Sequence, residues 1–188
     1  MTTGAPFLAP TPWPAEDGGA ARLATCTDVS GPRAGSASVS AVRHDPLSIM
    51  VVHATGGRLL ALRASLGGDT ASFVEEIDPF DLSVTRSSGP LDLGPFWPGG
   101  VAALADGSCL VVQGRHAHRL AADLTLEAHR ELPHDAPYNS FVVLPDFTIV
   151  TKDPRRPGEP ASTVSTLDPV TLEDRASPFE LPEPCERS

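Results

Sequence analysis

The sequence predicts an all-β chain built from four-stranded antiparallel units, and three observations carry that prediction. From Leu47 onward, short apolar runs rich in Val, Ile, Leu and Thr alternate with Gly, Pro, Asp and Asn turn signals. No segment sustains a helical apolar stripe for three turns; Leu120–Glu131 comes nearest, and its repeat partner reads as strand. The runs also recur. Val101-Ala-Ala-Leu-Ala-Asp106-Gly-Ser-Cys-Leu-Val-Val112 aligns with Phe141-Val-Val-Leu-Pro-Asp146-Phe-Thr-Ile-Val-Thr-Lys152 at an offset of 40. Ile77-Asp78-Pro79-Phe-Asp-Leu82 aligns with Leu167-Asp168-Pro169-Val-Thr-Leu172 at an offset of about 90, or two units. Leu120-Ala-Ala-Asp-Leu-Thr-Leu126 is the degenerate middle copy.

Residues 1–45 differ from the rest. Pro6, Pro10, Pro12 and Pro14, then Gly18-Gly19 and Ser30-Gly31-Pro32, leave little to bury and few ladder donors. The expectation is an irregular or disordered leader, with Phe7 and Trp13 free to dock on a neighbouring surface and a short strand at Ala37–Val42. Residues 46–181 divide into units of about 46–95, 96–135 and 136–181, and 182–188 form a polar tail. The first unit takes strands at Ser48–His53, Arg58–Arg63, Ser72–Ile77 and Leu82–Thr85. The second takes Gly100–Leu104, Ser108–Gln113, Ala117–Ala121 and Thr125–Leu132. The third takes Ser140–Leu144, Thr148–Lys152, Thr163–Leu167 and Thr171–Arg175.

The turns explain most of the punctuation. Asp106-Gly107 is a tight-hairpin signal, because Gly accepts positive φ and Asp accepts turn amide protons. Phe147 stands where the earlier copy has Gly107, so that hairpin needs another geometry or carries strain. Asp78-Pro79 and Asp168-Pro169 end third strands, with Pro presetting φ. These aspartates read as turn formers and not as catalysts.

A strand, an Asp-Gly-like hairpin, a second strand and then a strand ending in Leu-Asp-Pro-x-Thr-Leu resembles one blade of a β-propeller. The chain is similar to the broad quinoprotein-like, gluconolactonase-like and strictosidine-synthase-like group over about residues 46–181. The resemblance implies four-stranded antiparallel blades and specifies chemistry hardly at all. No Gly-His…Trp-Asp pair supports the WD40 subclass. Closed propellers have about four to eight blades, and this chain supplies about three. A fragment of a longer product, a homo-oligomer that closes the ring, or an open arc with the leader over one end would each answer the shortfall. Pro178, Pro182 and Pro184 before the polar tail resemble an inter-blade linker, which favours a truncated propeller.

Composition narrows the function classes. With 24 acidic and 14 basic residues the net charge is −10, which argues against nucleic acid or an anionic membrane surface as partner. No apolar run approaches the ~20 residues of a membrane span. The basic residues are Arg except for Lys152, and Ala, Gly and Pro abound, as a GC-rich, bacterial genome would give. Cys26, Cys109 and Cys185 show no paired spacing, so neither a disulfide framework nor a zinc module is indicated. The N-terminus lacks a basic region and a long apolar core, so the expected setting is a reducing cytoplasm.

In such a fold the innermost strands line the axis and ligands sit at its mouth. That places His53, at the end of one inner strand, and Trp97, Tyr138 and Asn139, at the entries to the other two, as candidate ligand-binding residues. Asn139 offers amide donors and an acceptor, and Tyr138 and Trp97 offer aromatic walls with a polar edge. Such a mouth suits a small polar molecule or an extended protein partner. His116-Ala-His118 puts two imidazoles on one side of a strand, with His129 and His134-Asp135 nearby in sequence. The pair maps to a third strand, away from the axis, so a solvated blade edge is expected and no metal site is assigned. Glu75-Glu76 reads as a solvated pair, and Lys152 as a surface residue. Ser140 has no recognisable triad partners, and no phosphate-binding loop occurs. No cofactor is identified. The functional expectation is a binding or scaffold module. The alternative is part of a propeller enzyme acting on a small polar or lactone-like substrate, with His53 and Asn139 near the axis.

Overall fold

The computed structural model describes residues 7–16, 38–44, 47–65, 71–95, 99–156 and 158–184. Trp97, Cys26 and Cys185 lie outside the described residues. The fold is all-β, with three four-stranded antiparallel sheets, each a meander ordered as in the sequence. The first blade holds β1 (Ser48–His53), β2 (Leu59–Ala64), β3 (Ser72–Ile77) and β4 (Val84–Ser87). The second holds β5 (Gly100–Ala103), β6 (Cys109–Gln113), β7 (His116–Leu120) and β8 (Leu126–Glu131). The third holds β9 (Phe141–Val143), β10 (Ile149–Lys152), β11 (Thr163–Leu167) and β12 (Asp174–Glu180). Among the described residues no helix is long and apolar enough to cross a membrane.

The repeat seen in the sequence is a repeat of turns. In the β5–β6 hairpin, Gly107 sits at φ 88° and its N–H donates to the Leu104 carbonyl at 3.1 Å. In the β9–β10 hairpin, Phe147 takes the same role at φ 68°, its N–H donating to the Leu144 carbonyl at 2.8 Å. The geometry is therefore retained and the non-glycine residue is held in the left-handed region, at a cost of about 1–2 kcal/mol. Asp78 and Asp168 accept the N–H of Phe80 and Val170 at 2.7 and 2.9 Å, closing matched turns. Each of these turns, and the middle copy, ends on a leucine at positive φ: Leu82, Leu124 and Leu172. For that reason the turns run longer than the sequence suggests, and β4 and β12 begin at Val84 and Asp174, two to three residues later than the expected starts at Leu82 and Thr171.

Two cores form where sheets stack. Leu60, Leu62 and Val74 of the first blade meet Val101, Cys109, Val111 and Leu120 of the second. Leu110, Val112 and Ala117, on the second blade's other face, meet Ile149 and Leu167 of the third, with Tyr138 between them. Alternation along each strand assigns the faces, as a pleated sheet requires. The inner edges also touch: a Cβ on Gly100 would lie 3.3 Å from the Phe141 ring, so the smallest residue lets β5 and β9 approach.

In the described part of the leader, residues 7–16 dock on the blades, and the short strand expected at Ala37–Val42 does not form across its described residues. Residues 38–44 form no strand, with Val39 and Val42 exposed, although Arg43 reaches the Glu75 carboxylate at 2.7 Å. Residues 7–16 are held across the inner strands of all three blades. Ala9 donates to the Ala103 carbonyl at 2.9 Å, and Leu8 bridges Leu104. His53 and Ala103 donate to the carbonyls of Trp13 and Pro14, each at 2.7 Å. Ser140 Oγ donates to the Glu16 carboxylate at 2.5 Å, and the Phe7 ring stacks on Phe147 at 5.0 Å. A Pro-rich segment suits this task, because it supplies carbonyl acceptors and needs few donors satisfied.

Candidate functional site

The residues expected at an axial mouth do not share one environment. His53 is exposed at the end of β1, and its backbone is taken up by the leader, which donates from Thr11 Oγ1 to the His53 carbonyl at 2.6 Å. Asn139 is half-buried in the loop entering β9. Tyr138 is no mouth wall. It is fully buried in the second core, its N–H donating to the Gly114 carbonyl at 2.7 Å. Burial, then the negative charge of Asp153, pushes its hydroxyl up to about 12, so it stays protonated. The Gly114-Tyr138 bridge ties the inter-blade loop to the β6–β7 turn, which fixes the ring between blades. Ser140 is likewise buried and bonded to Glu16, not poised as a nucleophile.

Glu75 and Glu76 correct a second expectation. Glu75 is buried between the guanidinium groups of Arg43 and Arg63, while Glu76 pairs with Arg58 at 3.0 Å. They stand on a central strand, where a charge needs a partner, and not on a solvated edge.

A half-open apolar surface lies on the third blade. Register places Val142, Val150 and Thr166 on one face, and Lys152, Val164 and Phe179 beside them. This is the face turned away from the second blade, since Ile149 and Leu167 point the other way into the core. An open apolar depression of about 160 Å³ lies there, with Val142, Val150, Lys152 and Val164 among its lining. The repeat offers an internal comparison. Leu110, Ala102 and Val112 occupy the equivalent positions one blade earlier and are at most 1% exposed, because the third blade covers them. Val142, Val150 and Lys152 are only half-buried, and Phe179 is 53% exposed.

A second cluster lies on the other side of the second blade. His116 and His118 of β7 share a side, and register sets His129 of β8 directly opposite His118. His116 Nδ1 is 2.9 Å from His129 Nε2, and the His118 and His129 rings stack at 4.8 Å. Asp92, on the connection between the first two blades, brings a carboxylate oxygen to 3.9 Å from His129 Nε2. Burial, then the neighbouring imidazoles, holds His118 down to about 3; the same causes lower His116. Both rings are thus neutral at physiological pH, with a lone pair on one nitrogen. The sequence marked the i, i+2 pair and placed His129 nearby, but gave no sign of Asp92. His134 is elsewhere, bonded to Thr163 Oγ1 at 2.9 Å.

No family model matches this chain, and no curated protein matches it.

Proposed function

We propose that the protein is a partial β-propeller of the quinoprotein-like and gluconolactonase-like kind that acts as a binding or scaffold module. Its working surface is the outer face of the third blade, and the occupant is the first blade of a second copy. The observation that carries this reading is the contrast within the repeat, since side chains buried at one blade lie half-open at the next. Two three-blade arcs give six blades, within the range of closed propellers. The opposite end of the arc offers apolar surface as well: Val51, on the outer face of the first blade, is 43% exposed, and Val39 and Val42 lie at 80% and 66%. A sheet face of this type is stabilised by covering it with another sheet about 10 Å away.

Light scattering on the purified chain tests the reading. The expected result is a dimer at twice 19.7 kDa that Val150→Glu converts to monomer while the far-ultraviolet spectrum of the strands is unchanged. A monomeric wild-type chain at ~100 µM, weaker than the micromolar affinities common for specific association, would remove the proposal.

A further inference from the structure

The histidine cluster lies apart from the surface just described and has its own chemistry. Asp92, His116 and His129 each bring one ligand atom to within 4.8 Å of the others. A tetrahedral ion with bonds of about 2.0–2.1 Å holds its ligand atoms roughly 3.3 Å apart. The observed separations of 2.9 Å between the imidazole nitrogens and 3.9 Å to the carboxylate straddle that value. The remaining Asp92–His116 separation is bounded at 4.8 Å, so the ion would draw the exposed Asp92 side chain inward as it binds.

The third imidazole of the cluster is itself short of a partner. His118 is 1% exposed, and its Nδ1 has no hydrogen-bond partner among the described residues. An unmade bond on a buried ring costs about 1–3 kcal/mol. Glu131, the other nearby carboxylate, is held by Arg115 at 2.9 Å and so does not compete.

The carboxylate is placed by backbone. The Arg115 N–H donates to the Leu93 carbonyl at 2.8 Å, which locks the inter-blade connection to the β6–β7 turn one residue from Asp92. That approach is possible only because position 114 is glycine: a Cβ there would lie 1.6 Å from the Leu93 carbonyl oxygen. The ligands thus come from two strands and a pinned connection, as a pre-organised site requires.

We propose that Asp92, His116 and His129 bind a divalent transition-metal ion of the zinc class, with a water in the open fourth position. Two imidazoles and one carboxylate suit zinc, cobalt(II) or nickel(II) and suit magnesium or calcium poorly. The ion would tie the second blade to the connection from the first.

Zinc chloride titrated calorimetrically into the EDTA-treated full chain tests this. The expected result is one equivalent bound with a Kd of about 1 µM or tighter. His129→Ala should weaken it at least ~100-fold and Asp92→Asn ~10-fold, in line with the loss of one ligand. His44→Ala, an exposed histidine elsewhere, should leave it unchanged. Cobalt(II) should give a visible ligand-field band that Asp92→Asn shifts. Because Asp92 is exposed, that variant reports even where His129→Ala fails to fold. Binding weaker than ~100 µM, or full affinity in both variants, would overturn the proposal.

Discussion

Arg119 lies 2.7 Å from Asp106 and joins the hairpin of its own blade to the next blade, donating also to the Pro169 carbonyl at 3.3 Å. A third bond goes to Glu127 at 3.0 Å, so the guanidinium satisfies three acceptors from one buried position. The partners are unequal, with the Arg119 side chain 9% exposed and Asp106 58% exposed. Removing the buried member strands more than removing the exposed one. Arg119→Met should cost about 2 kcal/mol, and Asp106→Ala about 1 kcal/mol, the latter including the lost turn bond to Ser108. Urea denaturation of both variants and their double mutant checks the order. Equal losses would mean that Pro169 and Glu127 contribute nothing.

Cys109 faces the first core, 0% exposed, and burial pushes its thiol up to about 12. Arg58 and then Arg119 pull it back only in part. The thiolate is the reacting form, so the native thiol should be inert at pH 8. Iodoacetamide labelling followed by peptide mass analysis should find Cys109 unmodified in buffer and fully modified in 6 M guanidinium chloride. Labelling of the native chain at this position would mean that the first two blades separate.

The strand positions were legible because the repeat encodes turns, and the turns are local. Asp106-Gly107, Asp78-Pro79 and Asp168-Pro169 each close within a few residues, so their spacing alone marks the blades. Contacts made across the sheets were not legible. Tyr138 reads as a polar aromatic at a loop, and only the packing of Ile149 and Leu167 shows that it is core. His129 meets His118 through a register that includes a bulge at Arg119/Leu120, a slip that no alternation rule predicts. Asp92 belongs to another blade's connection altogether. The docking of residues 7–16 depends on carbonyls, which every sequence has and none advertises.

Acid should act first through buried His118 and then through the turns. Asp168 is held below its ordinary 3.8 by bonds from the Thr171 and Val170 amides, and Asp146 by the amide and hydroxyl of Thr148. Burial works to raise Asp106, but Ser108 and then Arg119 outweigh it and leave it lowered too. A carboxyl whose folded value lies below its unfolded one stabilises the protein fully above the unfolded value. That contribution is lost as pH falls through the folded value. Stability should therefore begin to fall below about pH 6.5, where the unfolded chain protonates His118 and the folded chain does not, and fall more steeply below about 4, where unfolded aspartates also take up protons. Urea midpoints measured across that range check it, and Asp168→Asn should make the decline shallower. A profile flat from pH 7 to about 5 would mean that burial does not hold His118 neutral in the folded chain.

Gly114 is where fold and proposed metal site meet. It sits at φ 57°, and a Cβ there would overlap the Leu93 carbonyl and come within 3.0 Å of the Pro95 carbonyl. Both obstacles are backbone, so no flexible side chain can move aside. Gly114→Ala must either push the connection at 91–95 off the β6–β7 turn or break the Gly114–Tyr138 bridge, and both leave buried polar groups unpaired. The expected cost is about 3–5 kcal/mol, the upper range for a single substitution. Gly107→Ala, at φ 88° with its nearest neighbour the Ala122 methyl at 3.3 Å, should cost only about 1 kcal/mol, because it meets strain without a backbone clash. Denaturation midpoints of the two variants separate close approach from conformational preference. Where Gly114→Ala remains folded, Asp92 should be displaced from His116 and His129, and zinc affinity should fall while Gly107→Ala leaves it intact. Equal stability in the two variants would show that the connection moves freely and that the backbone does not place Asp92.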